Sequence, residues 1–184
     1  IRSYINSDDE PLHVRTKIFG AEQDLFNDRE VVHMSDVKQL VRGVYILALI
    51  SAVYIAATVA AGFAMQRGRF VEPLAKRALW GGGLTMGLLV VFGIAALVGF
   101  DSLFLKFHQL SFANDFWQLD PRTDYLVRIF PQDFWFDATM WVAVRAIAGA
   151  LLLTVAGTAY LAYRRIGGWQ KTLVALKGLR EGAQ

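Results

Sequence analysis

A chain of 184 residues is the length of a single domain, and at 55% hydrophobic, with a mean hydropathy of +0.37, it is rich enough in apolar residues to hold membrane spans. It has no cysteine, which excludes a disulfide framework, a thiolate nucleophile and a thiolate metal site. The formal charge of +3 is not gathered on any one groove-reading element, so no nucleic-acid footprint is present.

Residues 1–28 are polar and mixed, with Pro11 and Gly20 as breakers, and predict loop and short pieces. "NDREVVHMSDVKQLVRGV" reads as a helix capped by Asn27 or Asp28, with acids in its first turn. It leads directly into 43–66, which carries no charge. "QRGRFVEPLAKR" is a short connector, with Pro73 well placed at a helix start. Residues 78–100 are again uncharged. The connector 101–137 is rich in aromatics and in charge of both signs; short helices are expected there, with breaks at Asp120 and Pro121 and before Pro131. A third apolar run, 146–163, extends upstream through Val142 and Trp141 with Arg145 as its one interruption. The tail from Arg164 is basic and amphipathic, fitting either the inner headgroup layer or a plain soluble stop helix.

A bilayer crossing takes about 20 apolar residues, and these runs lack the alternation of a barrel strand. The pattern therefore predicts an all-α fold, a polytopic membrane helical bundle forming one integral membrane domain over 1–184. Its spans fall at 40–65, 79–100 and 138–163. Basic residues set the orientation. The connector 66–78 holds Arg67, Arg69, Lys76 and Arg77 against Glu72 alone, and the tail 164–184 is equally basic. The segment 1–39 has five bases and eight acids, and 101–137 has three bases and six acids. The first pair is expected in the cytoplasm and the second pair outside, packed on the outer face. Residue 1 then lies outside with no signal peptide in view, so a fourth transmembrane helix is expected before it.

Glu30, His33 and Asp36 stand three apart and share one broad helix face near the outer boundary. A carboxylate there can orient an imidazole and set its tautomer; a solvated helix end with acids in its first turn has the same spacing. His108, in "LFLKFHQLSF", has neighbours that suit the interfacial belt, where a lone histidine is more often structural. Because His33 and His108 fall on the same outer side, both become candidates; His13, in an irregular stretch, receives no role. Arg145 sits about two turns into the third span and Arg42 at a similar depth on the first. An ionisable residue at such depth is a functional candidate, against snorkelling or, for Arg145, pairing with Asp137. Asn114, Asp115 and Trp117 read as polar donors and a belt anchor, or as buried scaffold. Gly81, Gly82, Gly83 and Gly87 include a small-xxx-small spacing that close helix packing explains. There is no GxSxG elbow, HExxH or phosphate loop, and two histidines with carboxylates supply no recognised metal pattern.

"REVVHMSDVKQLV" and "FHQLSFANDFWQLDPRTDYLVRIFPQDFW" resemble a family of bacterial integral membrane proteins that includes the lipoprotein intramolecular transacylases (Lit). The specific part is E–x–x–H–M–x–D–V followed by F–H–x–L–x–F–x–N–D–x–W–x–L–D–P and then Phe130 and Pro131, each motif beside a span. Ser111 departs from the larger residue many relatives carry, and makes a poor nucleophile candidate. The resemblance implies an intramolecular acyltransferase in the bacterial plasma membrane, working at its extracytoplasmic face. It would move the sn-2 acyl chain of a diacylglyceryl-cysteine to its free α-amine, giving the N-acyl, S-monoacylglyceryl lyso-form lipoprotein. In that reading His33 and His108 divide the acid, base and oxyanion-donor roles, with the order open. Glu30, Asp36, Asn114 and Asp115 support them, and Arg42, Arg145 and Trp117 bind substrate. No cofactor or metal is implied; the partners are the diacylglyceryl-modified lipoprotein and membrane lipid, and the protein is expected to be a monomer. The alternatives are a non-catalytic membrane scaffold or a metal-dependent lipid hydrolase.

Overall fold

The computed structural model of the chain describes residues 1–8 and 11–181, with backbone only for 169 and 171–181. The elements in order are α1 (Arg2–Ile5), β1 (Arg15–Ile18), β2 (Ala21–Asp24), α2 (Asp28–Gln66), a 3-10 turn (Arg67–Phe70), α3 (Val71–Ser111), α4 (Tyr125–Ile129) and α5 (Gln132–Glu181). Long apolar helices dominate, as expected of a helical membrane protein. Leu47, at 65% exposed, typifies side chains that stand bare along α2; a helix apolar all round suits hydrocarbon better than water.

The chain forms two compact units, Ile1–Ile55 with Ile94–Met140, and Ala56–Gly93 with Trp141–Gln184. In the first, β1 and β2 pair antiparallel, with Arg15 opposite Asp24 and Lys17 opposite Glu22, so opposite charges face each other across the ladder. This hairpin is an addition to the all-α expectation. Its two-residue loop, Phe19 and Gly20, has positive φ at both positions, 51° and 88°, the mirror-image turn that matches strand twist. Phe-Gly is a weak signal for it beside Asn-Gly.

α2 begins with a capping box. The Glu30 N–H donates to Oδ1 of Asn27 at 3.1 Å and the Asn27 N–H donates back to the Glu30 carboxylate at 2.8 Å, which satisfies two of the helix's orphan donors. From there the helix runs 39 residues without a break. A small core of Tyr4, Leu12, Phe26, Met34 and Leu126 packs the N-terminal segment and the connector onto the start of α2. α3 passes the expected end of its span: it kinks at Gly99 (φ −163°, ψ 63°) and remains helical to Ser111. Connector 101–137 thus opens as helix, followed by turns and the short α4; α5 starts at Gln132, directly after Pro131. The amphipathic face expected of the tail falls on side chains outside the described residues.

In the second unit, α3 and α5 meet at backbone contact. A Cβ on Gly82 would stand 2.6 Å from the Ala150 carbonyl oxygen, and one on Gly157 would stand 2.6 Å from that of Ala75. Of the glycines noted in the sequence only Gly82 makes this approach; Gly81, Gly83 and Gly87 border open space. The Phe70 ring likewise fills the place of a side chain at Gly62.

Candidate active site

The site grows from the capped end of α2, where Glu30, His33 and Asp36 follow one another at three-residue spacing. Glu30 is fully buried. One carboxylate oxygen accepts the Asn27 N–H and the other accepts the Leu126 N–H at 2.6 Å, so Glu30 ties α4 to α2 and leaves the orientation of His33 to others. Asp124, also buried, accepts from the Asn27 amide at 2.8 Å and from the Asp120 N–H at 2.7 Å. These two carboxylates fix the far end of the connector; Asp124 had no assigned role in the sequence, although its burial follows from the turn that Asp120 and Pro121 begin.

α3, past its kink, brings His108 to His33, their ring centroids 6.0 Å apart. Both are buried, 8% and 7% exposed. His108 Nδ1 lies 2.8 Å from the Phe104 carbonyl oxygen. A carbonyl only accepts, so Nδ1 carries the hydrogen and the neutral ring holds its lone pair on Nε2. Aromatic rings enclose the pair: Phe104 at 4.3 Å and Trp117 at 5.3 Å from His108, and Phe112 at 5.0 Å from His33 and 5.5 Å from His108. Phe112, which touches both imidazoles, escaped the sequence reading because an aromatic among aromatics carries no distinguishing pattern.

Nδ1 of His33 is buried without a hydrogen-bond partner. Burial lowers the His33 pKa to about 4, helped by His108 and opposed by the Asp36 charge. Burial lowers the His108 pKa as well, opposed by its bond to Phe104. Both rings are therefore neutral at pH 7. Asp36 accepts from the Asn114 amide at 2.8 Å, and Asn114 Oδ1 accepts the Phe116 N–H at 3.1 Å, so Asn114 latches the connector turn beside His33. Asp115 lends its carbonyl to Arg29 at 3.1 Å and its carboxylate to Gln118 at 2.8 Å. Arg29, which also donates to the Gln118 carbonyl, is a second latch on this turn and was not singled out in the sequence.

The arginines have other partners. Arg42 donates to the Ser7 carbonyl and the Asp8 carboxylate, both at 2.7 Å, clamping the N-terminal segment to α2. Arg145 belongs to the second unit, where its guanidinium stacks 3.2 Å from the Trp141 ring centroid; that partner lies one turn back toward the helix start, as snorkelling requires, and replaces the Asp137 pairing considered above. Lys38, fully buried, sits 4.1 Å over the Tyr4 ring. Among the described residues no three His, Asp or Glu side chains gather as a metal site.

A solved structure, the membrane integral lipoprotein intramolecular transacylase Lit from Bacillus cereus, superposes with a TM-score of 0.56 over 80% of this chain and 62% of that one, at 22% identity; at that identity the likeness is one of fold. An uncharacterized protein of Aquifex aeolicus (strain VF5) is 31% identical over 136 residues, 72% of this chain and 56% of its own length. The chain thus spans less than two thirds of either relative. The family model described as lipoprotein intramolecular transacylase Lit matches residues 1–135, which include both histidine motifs. The chain belongs to the Lit family of lipoprotein intramolecular transacylases.

Proposed function

We propose that this protein moves the sn-2 acyl chain of a diacylglyceryl-modified lipoprotein to the α-amine of its N-terminal cysteine, by acid–base catalysis between His108 and His33. It works as a monomer at the extracytoplasmic face of the bacterial plasma membrane, where three spans of this chain hold the outer segments. The observation that carries the reading is the pair itself: two enclosed imidazoles 6.0 Å apart, one with its tautomer fixed and the other with an unpartnered nitrogen. Amine and ester belong to one molecule, so the substrate supplies proximity and no acyl-carrying nucleophile is required.

The steps follow from the two ring environments. The α-amine has a pKa near 8, so a fraction is free base at pH 7. That form attacks the ester carbonyl while Nε2 of His108 takes the proton the nitrogen sheds. Neutral His33 donates a ring N–H to the developing oxyanion. Collapse leaves a C–N bond formed and the glycerol C–O bond broken, and His108 returns the proton to the glycerol oxygen. The enclosing rings of Phe104, Phe112 and Trp117 exclude water that would otherwise hydrolyse the ester. The test is the purified full chain with a diacylglyceryl lipopeptide, read by mass spectrometry. N-acylated lyso product is expected; unchanged substrate or free fatty acid overturns the proposal.

A further inference from the structure

Past the kink at Gly99, α3 continues for about three more turns and its two sides differ. His108 is turned inward and buried. On another side Leu103, Phe107 and Leu110 fall at i, i+4 and i+7, which places them in one stripe along the helix. Exposure rises along it: Leu103 is half-buried, Phe107 is 47% exposed and Leu110 87%. Phe107 meets the His108 ring edge-on at 5.3 Å, so the stripe adjoins the histidine pair. Lys106 and Gln109 are exposed on the neighbouring arc, with Leu105 beside Gln109.

A lone exposed leucine needs no explanation, but a continuous apolar stripe on a helix end does. Three observations select its occupant. The stripe begins within one turn of the end of the uncharged run 78–100, at the level where hydrocarbon gives way to headgroups. The kink at Gly99 turns the helix there. The arc beside the stripe is polar and carries a cation, the make-up of a helix lying in the headgroup layer.

We propose that the stripe of Leu103, Phe107 and Leu110 lies in the lipid–water boundary, covered by the acyl chains of the surrounding bilayer, and that it sets the depth at which His108 meets a lipid-borne ester. Only the last clause rests on the transacylase reading. The cysteine-free chain allows a clean test. Leu110→Cys and Gln109→Cys, each in the full chain, are labelled with an environment-sensitive bimane and reconstituted in phosphatidylcholine vesicles. The Leu110 position should be quenched by brominated lipid at a depth of about 5–10 Å and protected from iodide, and the Gln109 position should show the reverse; Leu103→Cys repeats the apolar arm should the Leu110 variant fold poorly. Iodide quenching at both apolar positions, or the same response from stripe and polar arc, overturns the proposal. The fluorescence needs no turnover, so a stripe in lipid without transacylation refutes the reaction and leaves the stripe standing.

Discussion

Burial keeps both imidazoles neutral at pH 7. The proposed roles divide on the bond from His108 Nδ1 to the Phe104 carbonyl oxygen, which leaves the His108 lone pair on Nε2, while Nδ1 of His33 has no partner. Replacing His108 or His33 with glutamine keeps polarity and removes proton transfer, and the acyl-shift rate should fall about 10²–10⁴-fold for either. Asp36→Asn should cost much less: the Asp36 charge favours protonated His33, a form the donor role does not use. Equal losses from all three would point to an imidazolium at position 33. The lowered pKa also predicts a pH effect on stability. With its pKa at about 4 in the folded protein, against the ordinary imidazole value of 6.5, His33 binds more protons unfolded between those values, so stability rises with pH across that window. Acidification from 6.5 to 4 should remove about 3 kcal/mol, with His108 adding in the same direction. Thermal unfolding in detergent checks this, and His33→Gln should flatten the slope.

At the level of elements, the connector is held by groups that look catalytic in the sequence. Glu30 has the spacing of a histidine-orienting carboxylate, yet its oxygens serve the Asn27 and Leu126 N–H groups. Spacing on one helix was legible; the partner 96 residues away was not, because a tertiary hydrogen bond leaves no periodicity. Glu30→Gln should therefore lower the unfolding free energy by about 1–3 kcal/mol while turnover by the folded fraction stays near wild type, as measured by melting and by assay per folded protein. The long apolar helices were plain from uncharged runs, and the helix start from Asn27 and Asp28 with acids behind them, while the choice of Asn27 as the cap came from its bonds with Glu30. The hairpin was hidden by four-residue strands that mix charge with apolar residues, and the helical stretch 100–111 by a kink at a glycine in an apolar run, which sequence alone reads as an end. Glycine spacing gave the right neighbourhood but not the contact. Gly82→Ala and Gly157→Ala should each destabilise by about 1–3 kcal/mol, since both would drive a methyl into a backbone carbonyl. Gly81→Ala and Gly83→Ala, facing open space, should melt near wild type.

For the whole molecule, the proposed histidine chemistry requires the side of the membrane where lipidated substrates would present their amine. The charge bias predicts that side. The connector 66–78 and the segment from Arg164 are basic, whereas 1–39 and 101–137 hold more acids than bases, and basic loops remain in the cytoplasm. The one acid in 66–78, Glu72, is shared between Lys76 at 2.9 Å and Arg164 at 3.2 Å; these exposed pairs contribute little to stability and leave the segments net basic. Because the chain has no cysteine, Gln118→Cys and Gly68→Cys each give one thiol in a silent background. Both positions are suitable: Gln118 lies in the turn latched by Arg29 beside the histidine pair, and Gly68 has open space around it. A membrane-impermeant maleimide applied to intact cells should label Gln118→Cys and spare Gly68→Cys until the membrane is opened. The opposite pattern would put the histidines in the cytoplasm, away from exported lipoproteins, and would sink the transacylase reading together with the topology. Labelling of both positions from outside would mean that the charge rule fails for this chain and that the apolar helices between them do not cross the bilayer as proposed.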